Sequence, residues 1–108
     1  MKKRLSLFVW VIVLVPALAF GQGVIKGTVT DAATGEALPG ANVVVQGQPY
    51  GSASDLSGEY MIEGVPVGTY TITASVIGYE KASQTVAVAS GITVTVNFQL
   101  AQEAIMGS

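Results

Sequence analysis

The chain has 108 residues, half of them hydrophobic, with seven acidic and five basic side chains, a formal net charge of −2, and neither histidine nor cysteine. That length sets a ceiling of one compact domain. The missing residue types exclude thiol nucleophiles, a Ser-His-Asp arrangement, disulfides and most transition-metal sites, and the charge balance disfavours nucleic-acid binding.

Residues 1–21 read as an export signal. Lys2, Lys3 and Arg4 form a basic start, and Leu5–Leu18 is apolar apart from Ser6 and Pro16. Ala17-Leu18-Ala19 and Ala19-Phe20-Gly21 then carry small residues at the spacing a signal peptidase reads. The apolar run is shorter than the roughly 20 residues of a spanning helix, so a signal-peptide helix is expected rather than an anchor. Cleavage would leave Gln22 or Phe20 first, with Gln22 favoured. The remainder carries two lysines, Lys26 and Lys81, against seven carboxylates, a net charge of −5. With no disulfide, this piece must hold together by core packing alone.

From Gln22 onward the hydrophobic period is two, the mark of strands with one face buried and one wet. Ile25, Gly27 and Val29 alternate with Lys26 and Thr28. Ala41, Val43 and Val45 form a second run, and Gly51–Asp55 is a short polar piece with the character of an edge strand. Tyr60 and Ile62, then Tyr70, Ile72 and Ala74, then Val86 and Val88 supply three more. The cleanest run closes the series: Ile92, Val94, Val96, Phe98 and Leu100 are expected to point together into a dry interior. Thr34-Gly35, Pro39-Gly40, Tyr50-Gly51, Ser57-Gly58, Val67-Gly68, Ile77-Gly78 and Ser90-Gly91 mark turns between them. Many short strands with regular turn signals indicate an all-β sandwich or barrel. Residues 22–100 form this domain. Residues 101–108 lack the pattern and are expected to be a frayed or extended tail.

Little chemistry is on offer. The carboxylates Asp31, Glu36, Asp55, Glu59, Glu63, Glu80 and Glu103 fall mostly at turns or on wet faces. Asp55 and Glu59 flank Ser57-Gly58, with too few ligands for a calcium site. No catalytic, cofactor-binding or metal-binding residue is assigned. Tyr60 and Tyr70 share the parity of apolar neighbours and are expected in the core. Tyr50 and Tyr79 adjoin glycine turns and are the pair considered for stacking on a glycan.

Several segments in register carry a family resemblance: Gly27-Thr-Val-Thr-Asp31, Thr34-Gly35-Glu36, Leu38-Pro39-Gly40-Ala41-Asn42-Val43-Val44-Val45, Asp55-Leu56-Ser57-Gly58-Glu59-Tyr60, Val65-Pro66-Val67-Gly68-Thr69-Tyr70 and Ser75-Val76-Ile77-Gly78-Tyr79. Over Val24–Leu100 the chain resembles the carboxypeptidase-regulatory-like domain, which implies a seven-stranded antiparallel transthyretin-like sandwich with Greek-key topology. The export signal and Pro-Gly-Ala-Asn-Val resemble the N-terminal extension of SusC-like, TonB-dependent outer-membrane receptors. Glu103-Ala104-Ile105-Met106-Gly107-Ser108 is similar to the segment leading into the plug of such receptors, with Ala104 and Met106 where valines are more usual. The resemblance implies a periplasmic, non-catalytic accessory domain with no cofactor, contacting proteins of the import machinery, and with no membrane insertion of the mature part. Edge-strand pairing is the implied mode of contact, with Gly51–Asp55 the candidate edge. Without plug or barrel, the chain reads as a fragment, a truncated frame or a free-standing domain. The alternative is a secreted carbohydrate-binding or structural sandwich. On the face assignment, Val94→Asp should destabilise severely and Thr95→Asp mildly.

Overall fold

A computed structural model of the chain describes residues 21–104. The expected export signal, apart from Gly21, and residues 105–108 of the expected tail lie outside the described residues. Eight strands follow one another: β1 (Gln22–Asp31), β2 (Asn42–Val45), β3 (Gly51–Ala53), β4 (Glu59–Pro66), β5 (Gly68–Ser75), β6 (Ala82–Val88), β7 (Thr93–Thr95) and β8 (Phe98–Leu100). No helix occurs among the described residues. One sheet has β1 at its centre, with β4 on one side and β7 and β8 end to end on the other. The other sheet has the order β3-β2-β5-β6. The expected all-β sandwich is therefore what the chain forms.

Period-two patterning explains the layering. Along β1, Gly23, Ile25, Gly27, Val29 and Asp31 are buried, while the intervening residues are exposed or half-buried. Ile25 and Val29 share one core with Val43, Val45, Ile72 and Ala74 of the second sheet and with Ile62, Val65, Phe98 and Leu100. Each fully buried Val, Leu, Ile or Phe contributes on the order of 1.5–3 kcal/mol. Tyr60 lies in the core as expected, its ring 6.3 Å from that of Phe98 in a tilted pair. Tyr70 is only half-buried; its hydroxyl donates to the Pro66 carbonyl at 2.8 Å.

Two features depart from the seven-stranded antiparallel expectation. The last alternating run is one strand in sequence and two in space, β7 and β8. It also lies parallel to β1, with Val24–Lys26 beside Thr93–Thr95 and Val29–Asp31 beside Phe98–Leu100. All the other strand pairs are antiparallel. The break has a local cause. The Val96 carbonyl turns toward β1 and accepts the Tyr60 hydroxyl. It approaches Gly27 so closely that a Cβ there would collide with it. Asn97 repairs the interrupted ladder, its Oδ1 accepting the Thr28 N–H at 3.0 Å and the Thr28 hydroxyl at 3.2 Å.

The face assignment for this run needs correcting at its beginning. Val96, Phe98 and Leu100 are buried, but Val94 is half-buried and Ile92 is 50 % exposed. Ile92 belongs to the turn that carries the chain from the second sheet to the first, its N–H donating to the Ala89 carbonyl at 3.2 Å. Alternation tells which way a side chain points; it does not tell how far the opposite sheet extends.

Candidate functional site

Asp31 closes β1 on the inward parity of Ile25 and Val29, so its carboxylate is carried to the end of the core and buried there. Oδ1 accepts the backbone N–H groups of Ala33 (2.7 Å) and Thr34 (3.0 Å). Oδ2 accepts the Tyr79 hydroxyl (2.7 Å) and the Gln102 side-chain amide (3.2 Å). Four donors on two oxygens satisfy a carboxylate well, which is why it stays charged out of water. The Tyr79 hydroxyl, followed by the Thr34 and Ala33 N–H groups, lowers its pKa to about 2 against the burial that opposes ionisation. The same bond to Asp31 pushes the Tyr79 hydroxyl up. Burial alone pushes the Tyr60 hydroxyl to about 12.

Gln102 belongs to the expected tail, yet the first residues of that tail are docked. Tyr79 and Gln102 form an isolated antiparallel bridge. The Glu80 N–H donates to the Ala101 carbonyl at 2.8 Å, and the Glu103 N–H donates to the Gly78 carbonyl at 2.9 Å. Neither Asp31 as a hub nor Gln102 as its partner was singled out from sequence. The parity of Asp31 with Ile25 and Val29 was the signal that could have exposed the first; nothing local marks the second.

The tyrosine pair considered for glycan stacking is not brought together. Asn42 pairs with Ser75 and Val45 with Ile72, so Tyr50, just past β2, and Tyr79, just past β5, lie at opposite ends of the sandwich. Each is half-buried and packed against the core. Asp55 is also committed locally: its Oδ1 accepts the N–H groups of Ser57 and Glu59, both at 2.9 Å. Among the described residues, no three His, Cys, Asp or Glu side chains are grouped as metal ligands.

Sheet edges remain as the accessible feature. The candidate edge is a strand over Gly51–Ala53, outermost in its sheet and paired to β2 alone. Ser54 then turns inward, its hydroxyl donating to the Leu38 carbonyl at 2.6 Å and accepting the Ala41 N–H at 2.8 Å. At the opposite seam, the Gln84 side-chain amide of β6 donates to the Asn97 carbonyl, tying the two sheets together. Two shallow grooves accompany the edges. One, of about 530 Å³, crosses the outer face of the first sheet and includes Lys26, Thr28, Met61, Thr95 and Asn97, with Ser52 of β3 at its side. The other, of about 570 Å³, lies beside the docked tail between Asn42, Val76, Ile77, Lys81 and Glu103. These surfaces offer backbone and side-chain hydrogen bonds to a partner.

The sequence model of a family described as "CarboxypepD_reg-like domain" matches residues 25–108. A TonB-dependent receptor P3 from Formosa agariphila is 33% identical over 78 residues, which is 72% of this chain and 8% of that receptor. The chain thus spans less than a tenth of the relative it matches. Among solved structures, a type II cohesin-X-dockerin complex from Acetivibrio cellulolyticus superposes with a TM-score of 0.61 at 18% identity, over 72% of this chain and 56% of that one. A catechol 1,2 dioxygenase from Acinetobacter radioresistens gives 0.60 at 15%, over 82% of this chain and 54% of that one. At such identities the likeness is one of fold.

Proposed function

The chain belongs to the CarboxypepD_reg-like domain family, and from that premise we propose that it is a non-catalytic accessory domain of a TonB-dependent outer-membrane receptor, working on the periplasmic side by contact with other proteins. The match to a receptor across nearly the whole sandwich carries this reading. Transport itself would belong to the plug and barrel of the receptor. The domain would supply a rigid body with exposed edges, and β3 is an edge to which an extended partner segment can add by main-chain hydrogen bonds. The basic start and apolar run of residues 1–21 support export, with Gln22, the first residue of β1, as the mature N-terminus. The glycan alternative has less support, because Tyr50 and Tyr79 sit at opposite ends of the sandwich and pack against the core.

Fractionation of a diderm host expressing the tagged chain tests the reading. The expected product is released with the periplasm and has a mass beginning at Gln22; a cytoplasmic product retaining Met1 argues against it. Adjoining DNA supplies the second arm. A plug and barrel frame beside this one supports the receptor assignment, and an unrelated neighbour after a clean stop removes it.

A further inference from the structure

The stretch that follows β8 is held in an unusual way. Ala101, Gln102, Glu103 and Ala104 are all exposed, so burial of apolar surface holds none of them. What holds them is a small set of hydrogen bonds. Two are backbone bonds to the loop between β5 and β6, from Glu80 to Ala101 and from Glu103 to Gly78. The third is the side-chain bond of Gln102 to Asp31, 71 residues away in sequence. Tyr79 reaches the same carboxylate oxygen from the loop, 48 residues from Asp31. One charged oxygen therefore joins the end of the sandwich, the β5–β6 loop and the departing chain. Immediately before, the Leu100 carbonyl accepts the Ala32 N–H at 2.9 Å, and Leu100 itself is fully buried.

We propose that Ala101–Glu103 is a releasable strap, latched by the Asp31 carboxylate to the Val76–Glu80 loop, that opens while the sandwich stays folded. Segments with few buried apolar contacts and solvent-exposed backbone bonds open at lower free energy than core strands. Leu100 is the natural hinge, since its side chain and carbonyl stay anchored when the bonds beyond it break. Release frees three residues, which adds roughly 10 Å of reach to whatever the chain continues into. The strap would behave this way whatever the domain is attached to.

Asp31→Asn separates latch from turn. The asparagine side chain keeps a carbonyl oxygen for Ala33 and Thr34, but removes the charge and turns an NH₂ group toward Tyr79 and Gln102, so the charged bonds of the latch become at best neutral ones with the Gln102 amide reversed. Gln102→Ala removes an exposed partner and leaves the core untouched. Tyr79→Phe removes only the hydroxyl. Native-state amide exchange on the full chain reads the outcome. In the wild type, Glu80 and Glu103 should exchange faster than Val45 and Ser54, whose N–H groups donate to Tyr50 and Ala41. In Asp31→Asn and Gln102→Ala, exchange at Glu80 and Glu103 should rise about tenfold or more, the scale of a lost bond to a charged group, with Val45 and Ser54 unchanged in Gln102→Ala. Equal protection of strap and core in the wild type overturns the proposal. So does unchanged exchange at Glu80 and Glu103 in both Gln102→Ala and Tyr79→Phe.

Discussion

β7 and β8 are two halves of a single alternating run, and they do different work. β8 buries Phe98 and Leu100 almost completely and runs beside Val29–Asp31. β7 runs beside Val24–Lys26 with Val94 half-buried and both neighbours exposed. Between them sits the Val96 carbonyl, aimed at the Tyr60 hydroxyl over a position that only glycine fits. Equal hydrophobic pattern does not mean equal burial: the turn out of β6 carries the start of the run past the rim of the core, while its end is roofed by the second sheet and closed by Asp31.

The largest expected contrast is between Phe98→Ala and Val94→Ala. Deleting the buried ring leaves a cavity and should cost about 3–5 kcal/mol. Val94→Ala removes a half-buried group from a short edge strand and should cost under about 1 kcal/mol. Urea unfolding of both variants checks this, and similar midpoints would erase the distinction between the halves. Next comes the joint itself. Gly27→Ala places a methyl against backbone that cannot swing aside, so the kink must move, at about 1–3 kcal/mol for overpacking. Tyr60→Phe leaves the Val96 carbonyl without that donor, again about 1–3 kcal/mol. Because both act on one carbonyl, the double variant should cost less than the sum of the two. Strict additivity would show that Gly27 and Tyr60 act separately.

The overall layering was legible because alternation is a local property. Ile25 and Val29, Val43 and Val45, Ile72 and Ala74 announce their faces within a few residues, and Gly58, with φ of 78°, sits in the turn its neighbours foretell. What escaped was long-range. The parallel seam joins the two ends of the domain, and nothing near Phe98 says that Val29 lies beside it. The interruption at Val96 needs Gly27 and Tyr60 together, residues that sequence reading assigned to separate strands. Asp31 has the composition of a turn residue and the parity of a core residue, and both hold. Tyr79 adjoins the glycine turn at Gly78, but its partners are a strand end 48 residues back and a tail 23 residues ahead.

Acid should loosen the β8 end and spare β7. The Asp31 carboxyl titrates near 2 in the folded chain against an ordinary value of 3.8. A lowered folded value means that its contribution is fully present above the unfolded pKa and disappears as pH falls from about 4 through about 2. Tyr79 and Gln102 face the carboxylate as donors, and Glu36 is the nearby acidic group that acts on Tyr79. Melting temperature followed from pH 5 to pH 2 should therefore fall more steeply for the wild type than for Asp31→Asn. Parallel curves would mean that Asp31 is not the group being titrated.

The smallest expected effect is also the sharpest correction to the pattern read from sequence. If Ile92, Val94, Val96, Phe98 and Leu100 were equivalent, Val94→Asp would bury an unpaired charge and be far worse than Thr95→Asp. Val94 retains solvent access on a three-residue edge strand, and Thr95 is exposed. A carboxylate at position 94 can turn toward water, so the two variants should differ by no more than about 1 kcal/mol. Val96→Asp, one step further into the same alternation, has no such escape, because Val96 is only 3% exposed. Thermal unfolding of the three variants locates the boundary of the dry interior. A large gap between positions 94 and 95 moves that boundary back into β7; a gap that first appears at 96 places it at the kink.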